Sequence, residues 1–339
     1  MINTASCFVI AEAGVNHNGS LDLALELVTR ARECGADAVK FQTFKTERLV
    51  TQYAVSAAYQ KRAVPQASSQ HAMLKELELS EDDFARIQEH CRACDIEFLS
   101  SPFDEDSAAF LDRLGMRLFK IPSGEITNGP LLETIGRFGK PVILSTGMSW
   151  LAEIETAVKT LDAAGAGEII LLHCVTEYPA PYAEINLSAM QTLASAFGVK
   201  VGYSDHTAGI EIPIAAVAMG AVLIEKHFTL DTGMPGPDHS ASLPPIDFRS
   251  MVQAIRHVES ARGDGRKRPA PCELGNLEAV RKSIAAERDI AAGKIITRED
   301  LTLKRPGSGL SPLWLDAVVG RRAGRAIGTD ELINWQDLT

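Results

Sequence analysis

Between Cys7 and His227, short β-branched or apolar runs alternate eight times with longer, helically spaced stretches. The runs Cys7–Glu12, Ala38–Gln42, Glu97–Ser101, Leu118–Pro122, Pro141–Ser145, Glu168–His173, Lys200–Ser204 and Ala221–His227 read as strands. Helices are expected at Leu21–Cys34, Glu81–Cys94, Asp106–Leu114, Pro130–Phe138, Leu151–Ala164, Leu187–Phe197, Ile212–Met219 and Asp247–Arg262. In the first, Leu21, Leu25, Val28 and Ala31 fall on one stripe. The second opens on Ser80 with Asp83 three residues on, a capping-box signature. Eight strand–helix pairs over about 260 residues are the α/β pattern of a (β/α)8 TIM barrel. A doubly wound sheet is the competing arrangement. It ordinarily carries a glycine-rich phosphate loop after its first strand, and AEAGVNHNGS is not GxGxxG.

The texture changes after Arg262. GDGRKRPAPCELGN is rich in Gly, Pro and charge and reads as a linker. The expected domains are a barrel over 1–265, a linker over 266–280 and a small β-rich domain over 281–339. Within that last domain, Gly293–Leu301 can be laid on Asp330–Leu338, with Ile295/Leu332, Ile296/Ile333, Asp300/Asp337 and Leu301/Leu338 in step. Two similar short units suggest a compact pseudo-symmetric fold.

Composition narrows the functional classes. Hydrophobic residues make up 45% of the chain, enough for a sizeable core. The longest uncharged apolar run near Ile212–Ile224 is too short for a membrane span and carries Pro213 and Gly220. The start, MINTASCFVIAEAG, lacks the basic leader and long apolar segment of a signal peptide. Six cysteines are scattered without a disulfide-framework spacing, and the Cys91/Cys94 CxxC has no second pair. These features point to the cytoplasm. A net charge of -10 argues against nucleic acid as a partner, and it requires any anionic substrate to meet a local cluster of cations.

Polar residues collect at the carboxyl ends of the expected strands, where barrels of this type carry their sites. Glu12, Lys40, Gln42, Ser101, Lys120, Ser123, Glu125, Ser145, Thr176, Tyr178 and Ser204 all fall there. His206 and His227 end adjacent strands, so their imidazoles could meet at one metal. Two nitrogens with no cysteine nearby argue against a structural zinc site. They suit manganese or magnesium completed by water and substrate oxygens. Lys40 and Lys120 with several serines would make a pocket for a small dianion. Each lysine could instead simply neutralise Glu12 or Glu125, and Lys120 could alternatively form a Schiff base.

The motifs IAEAGVNHNGS, AVKFQTF, FLSSPFD, FKIPSGEITN, ILSTGM, LLHCVTEYPAPY, GYSDHT and EKHFTLD…GPDHSASL resemble, in order, those of the sialic acid synthase (N-acetylneuraminate synthase) family. The tail, RKSIAA…KIITREDLTLKRPGSG, resembles that family's C-terminal antifreeze-like (SAF) domain. The resemblance implies condensation of phosphoenolpyruvate with an N-acetylmannosamine-like aldose, with release of phosphate. It implies that His206 and His227 bind a divalent cation, Mn2+ first with Mg2+ or Co2+ as alternatives. Lys40, Ser101, Lys120, Ser123, Ser145 and Ser204 match phosphoenolpyruvate-binding positions, with Thr176 where some members carry asparagine. Glu125 matches the carboxylate that handles the attacking water, and Glu12 and Lys120 join it in the catalytic set. Glu12, Gln42, Tyr178 and Asp238 match acceptor contacts. Arg305 matches an arginine that a partner subunit's tail inserts into the site, which implies a homodimer with the C-terminal domain swapped onto the partner barrel.

The segment Pro65–Gln70 departs from the acceptor-loop asparagine of some relatives. GPDHSASL looks more like neuraminate and legionaminate synthases than the pseudaminate branch. A Schiff-base lyase and a non-catalytic binding protein are the readings from other classes. The roles of His17 and His173 stay open at this level.

Overall fold

The computed structural model describes residues 6–55, 64 and 69–339. The chain divides into two compact units, one ending at Gly263 and one running from Asp264 to Thr339.

In the first unit the strands are β1 Phe8–Gly14, β2 Ala38–Thr43, β3 Glu97–Pro102, β4 Phe119–Ile121, β5 Val142–Ser145, β6 Ile169–Cys174, β7 Lys200–Asp205 and β8 Leu223–His227. Its helices are α1 Leu21–Glu33, α2 Thr46–Leu49, α3 Gln70–Leu77, α4 Glu81–Ala93, α5 Glu105–Leu114, α6 Gly129–Arg137, α7 Leu151–Ala164, α8 Ala189–Phe197, α9 Glu211–Ala218 and α10 Pro245–Arg262. All ladders are parallel, in the order β3-β2-β1-β8-β7-β6-β5-β4. First and last strands therefore pair, Phe8 with Leu223 through Glu12 with His227. The two ends of the order, β3 and β4, lie side by side and complete a TIM-like barrel. This is the fold the alternation predicts.

Period-2 alternation builds two cores from the same strands. Val9, Ala11, Val39, Phe41, Leu171 and Tyr203 face outward into the layer beneath the helices. Ile10, Ala38, Leu99, Leu118, Ile143, Ile170, Leu172 and Leu223 face inward and plug the barrel. Gly202 belongs to that inner layer. A Cβ there would lie 2.4 Å from the Leu223 carbonyl oxygen and 2.7 Å from Leu172 Cδ2, so only glycine admits both neighbours.

Local chemistry sets the helix ends. Ser20 caps α1 by accepting from Leu23 N. The Ser80/Asp83 capping box is present in both directions at α4. The α1 stripe is rotated from the sequence expectation. Ala24, Leu27, Val28 and Ala31 are buried, while Leu21 and Leu25 pack only at its margin. A helix lying on a sheet buries a broad face, and small Ala24 lets that face approach closely.

In the second unit, β9 Ser283–Ala286 pairs antiparallel with β10 Leu301–Lys304. The stretch read as a linker contains a 3₁₀ turn, Pro271–Glu273, and a helix, α11 Leu274–Val280. Pro271 opens the 3₁₀ turn, and the helix tolerates Gly275 near its start because the helix formers Leu277, Glu278 and Ala279 follow. A last short helix is α12 Leu315–Val318. The internal echo is structural. Ile296 and Ile333 are both fully buried in this unit's core. Thr297/Asp300 and Asn334/Asp337 form matching capping boxes on 3₁₀ turns. Each aspartate also binds a cation, Lys294 or Arg325, at 2.7 Å.

Candidate active site

The inward-facing positions change character along each strand. Two residues beyond the apolar plug come Glu12 after Ile10, Lys40 after Ala38, Ser101 after Leu99 and Lys120 after Leu118. Ser145, Cys174 and Glu225 follow Ile143, Leu172 and Leu223 in the same way. These groups line a cavity of about 400 Å3 at the carboxyl ends of the strands. Gln42, Ser123, Thr176, Tyr178, Ser204, His206, His227 and Asp238 line it too. Thirteen of the fifteen residues singled out from the sequence thus share one cavity.

Glu125 is not among the lining residues. Glu125 ends the 3₁₀ turn Ser123–Glu125, half-buried, where its carboxylate accepts from Asn128 Nδ2 at 2.7 Å. Burial raises its carboxyl above the ordinary value against that hydrogen bond. Arg305 is an exposed residue of the second unit.

The electrostatic centre is a cross-barrel cluster. Lys40 Nζ lies 2.7 Å from Glu12 Oε2, 3.8 Å from Glu225 Oε2 and donates to Ser101 Oγ at 3.2 Å. Lys120 Nζ lies 3.5 Å from Glu225 Oε1, which also accepts from Ser204 Oγ at 2.9 Å. Burial opposes the charge on Glu225, but Lys120, Lys40 and the Ser204 hydroxyl prevail and hold its carboxyl at about 2. Burial wins at Glu12, pushed up to about 7 despite Lys40. Burial also lowers the Lys120 ammonium, while Glu12 and Glu225 outweigh burial and raise Lys40. Two cations thus face one firmly ionised carboxylate and one poised near neutrality, an arrangement that accepts an anion.

The cavity is also where hydrogen-bonding capacity is left over. Seven buried side-chain atoms among the described residues lack a hydrogen-bond partner, and five of them belong to lining residues: Glu12 Oε2, Ser145 Oγ, Thr176 Oγ1, Glu225 Oε2 and His227 Nδ1. The two carboxylate oxygens lie 2.7 Å and 3.8 Å from Lys40 Nζ. An orphaned buried polar group costs about 1–3 kcal/mol, so their concentration marks a place completed by a polar ligand. Gly147 shapes this corner. Its N–H donates to Ser123 Oγ at 2.8 Å, and a Cβ on it would sit 2.3 Å from Thr176 Oγ1.

The other side of the cavity is apolar. Leu49, Val50, Met73, Leu74 and Leu77, carried by α2, α3 and their flanks, join Val15 and Phe103 as a wall. Glu78 fixes this wall by accepting from Thr46 N, Thr46 Oγ1 and Lys45 Nζ, each at 3.1 Å, and from Lys75 Nζ at 3.2 Å. Of the segment Pro65–Gln70, residues 65–68 lie outside the described residues.

His206 and His227 come together, ring centroids 5.3 Å apart, with Tyr178 4.1 Å from the first and 5.5 Å from the second. The His206 Nδ1 atom lies 2.6 Å from the Val175 carbonyl oxygen, which fixes that nitrogen as the donor and leaves Nε2 with the lone pair. His227 Nδ1 is orphaned, 3.9 Å from Asp238 Oδ2. Burial and the neighbouring His206 drive its imidazole well below the ordinary range, keeping it neutral, as ligation demands.

Among the described residues no group of three or more His, Cys, Asp or Glu side chains could hold a metal ion alone. Burial opposes the charge on His206, but Cys174 and the Val175 carbonyl raise its imidazole, so a cation that takes its remaining ligands from water and substrate oxygens would have to displace that proton. The expectation of no cysteine nearby is corrected. Cys174 Sγ lies 3.8 Å from His206 Nδ1, because two-residue alternation carries β6 inward at Cys174. It meets the nitrogen already committed to Val175.

His173 and His17 brace loops. His173 Nε2 lies 2.7 Å from the Ile185 carbonyl oxygen. His17 Nδ1 accepts from Gly19 N at 3.1 Å, and burial lowers its imidazole to about 4. Sequence reasoning notes Glu225 only as a polar residue at the tip of the last strand and gives it no role, although its i, i−2 relation to His227 marks it as inward-facing. It passed over the apolar wall, for which strand periodicity gives no signal.

A parallel barrel with paired lysines, hydroxyls and two histidines at its carboxyl face defines an enzyme-like anion site of the (β/α)8 class. A family model described as NeuB family matches residues 27–267, and one described as SAF domain matches residues 281–339. This chain belongs to the NeuB family and carries a SAF domain at its C-terminal end. It is 48% identical to the N,N'-diacetyllegionaminic acid synthase of Legionella pneumophila, over 99% of this chain and 96% of that protein. It is 49% identical to the Campylobacter jejuni protein of the same name, over 96% and 98%. Among solved structures, N-acetylneuraminic acid synthetase from Leptospira borgpetersenii in complex with citrate superposes with a TM-score of 0.71 at 36% identity, covering 81% of this chain and 91% of that one. Among the described residues no helix is long and apolar enough to cross a membrane.

Proposed function

We propose that this chain condenses phosphoenolpyruvate with an N-acylated aldose and water, giving a nonulosonic acid and phosphate. The observation that carries the reading is the coincidence of Lys40, Lys120 and the orphaned Ser145 and Thr176 hydroxyls in one cavity. Lys40, Lys120 and the hydroxyls of Ser101, Ser123, Ser145, Thr176 and Ser204 hold the carboxylate and phosphate of phosphoenolpyruvate. Its C3 attacks the aldehyde carbon, water adds at C2 and phosphate leaves by C–O cleavage. Glu125, next to the lining residues Ser123 and Gly124, takes the proton of that water once its carboxylate turns from Asn128 toward the cavity. Glu12, near neutrality, moves a proton at the acceptor, which Gln42, Tyr178 and Asp238 orient. A divalent cation held by His206 and His227, Mn2+ in the first instance and Mg2+ or Co2+ otherwise, supplies electrophilic polarisation of the acceptor carbonyl.

The apolar wall supports one acceptor over the other. A hydroxyl turned toward Leu49, Met73 and Leu74 would lose its water without gaining a partner, whereas a methyl or acetyl group would gain about 25 cal/mol per Å2 buried. This favours a 2,4-diacetamido-6-deoxy sugar over N-acetylmannosamine, and the identity to two legionaminic acid synthases supports the same choice. The working form is a homodimer in which Arg305 of each SAF domain reaches the partner's barrel and adds a cation to the anion site.

Phosphate release from phosphoenolpyruvate, with each sugar in turn and with Mn2+ or a chelator, tests the reading. Metal-dependent release with either sugar establishes the chemistry, and the better sugar names the product. No release with both from folded protein sinks it. The burial-lowered Lys120 ammonium also suits a Schiff-base lyase. Borohydride trapping of a pyruvyl adduct on Lys120, with activity indifferent to the chelator, would favour that second reading.

A further inference from the structure

Three cross-strand pairs stand one above another where β7 meets β8. Ser204 pairs with Glu225 and Asp205 with Lys226 in the ladder, and the same register carried one residue on brings His206 beside His227. Alternation turns the first and third pairs into the cavity and the middle pair outward, behind the barrel wall. There the Asp205 and Lys226 side chains are both 0% exposed, with Lys226 Nζ 2.6 Å from Asp205 Oδ2.

This middle pair grips the chain on both sides of His206. Asp205 Oδ1 accepts from Tyr203 OH at 3.0 Å, from Thr207 N at 3.1 Å and from Thr207 Oγ1 at 2.9 Å. Lys226 also donates to the Thr207 carbonyl oxygen. The residues flanking His206 are thus tied to the residue preceding His227. The two imidazoles differ in their own restraints. The Val175 carbonyl holds the His206 ring, but His227 Nδ1 has no hydrogen-bond partner, so the placement of His227 depends on its backbone.

Stability alone is a poor account of such a pair. Two charges removed from water lose about as much solvation as their attraction returns, and apolar replacements of similar volume are often neutral or stabilising. Fixed geometry is what the pair supplies and an apolar contact would not. We propose that Asp205 and Lys226 are positioning residues which hold His206 and His227 at ligating separation for the divalent cation. The inference rests on the metal reading of those two histidines.

The test uses the full-length protein freed of metal, with Mn2+ binding followed by electron paramagnetic resonance of the free ion. The double variant Asp205→Leu/Lys226→Met removes both charges and keeps the volume. It is expected to melt within a few degrees of the parent chain, to bind Mn2+ at least tenfold more weakly, and to lose kcat while KM for phosphoenolpyruvate holds. A folded double variant with unchanged Mn2+ affinity overturns the proposal. Should the double variant fail to fold, Thr207→Val decides, since it removes only the hydroxyl from the cluster. A three- to tenfold weaker affinity supports the proposal and an unchanged one overturns it. His227→Ala serves as the control. Failure of the parent chain to bind Mn2+, or binding that survives this substitution, sinks the metal reading and the proposal with it. That outcome is visible without either cluster variant.

Discussion

Glu225 stands between Lys40 and Lys120, its two carboxylate oxygens 3.8 Å and 3.5 Å from their ammonium nitrogens. It belongs to β8, while the lysines come from β2 and β4, so three separate strands meet at one carboxylate. Removing the negative charge leaves two buried cations facing each other, while a glutamine carbonyl oxygen can still accept from Ser204 Oγ. Glu225→Gln is expected to lower unfolding stability by about 3 kcal/mol, the usual cost of breaking a buried pair. It should also reduce kcat/KM for phosphoenolpyruvate by a hundredfold or more. Urea denaturation and phosphate-release kinetics read the two effects separately.

Gly147→Ala tests the anion corner by shape alone. The new methyl would overlap Thr176 Oγ1 and crowd Ser123 Oγ, 2.9 Å away. Steady-state kinetics should show KM for phosphoenolpyruvate rising about tenfold, on the order of 1.4 kcal/mol of lost binding. The melting temperature should shift by only a few degrees. An unchanged KM would show that this corner does not contact the substrate.

Acid should loosen the acceptor wall through Glu78. Burial opposes the charge there, but the Thr46 backbone N–H, Lys45, Lys75 and the Thr46 hydroxyl hold the carboxyl down at about 2. The folded value lies below the unfolded one near 4.5, so the contribution is complete above about pH 4.5 and disappears as pH falls through 2. Glu78→Gln should therefore cost on the order of 2 kcal/mol at pH 7, allowing for solvent screening, and progressively less at lower pH. Denaturation curves at several pH values would show the two proteins converging in acid. KM for the sugar should rise more than KM for phosphoenolpyruvate.

Arg305 is exposed in its own unit, so its loss should leave folding intact. Arg305→Ala is expected to lower kcat/KM ten- to a hundredfold with an unchanged melt. Deletion of residues 276–339 should abolish activity even where the barrel folds. Sedimentation should report a dimer for the full chain, and a fully active truncated barrel would refute the completion of the site by the tail.

Much of the site was legible because alternation in a strand is a local property. Once Ile10, Ala38, Leu118 and Leu223 are recognised as inward-facing, Glu12, Lys40, Lys120 and Glu225 must follow them into the barrel, two residues on. Paired caps such as Ser80/Asp83 are equally local, and so is the echo of Asp300 in Asp337. The departures came where distance along the chain is large. The approach of Cys174 to His206 spans 32 residues, and the bond from Asn16 Nδ2 to Ser242 Oγ that helps close β1 against the β8 loop spans 226.

The sequence by itself determined the alternating strands and helices, the polar character of every strand tip and the presence of two histidines on neighbouring strands. Those follow from backbone geometry and side-chain chemistry within a few residues. Only the tertiary structure decided that Glu225 separates the lysines, that Glu12 is driven toward neutrality while Glu225 stays ionised, and that α2 and α3 turn an apolar wall toward the polar cluster. Charge state and solvent exclusion depend on which groups from distant strands share one buried volume, and barrel closure alone brings them together.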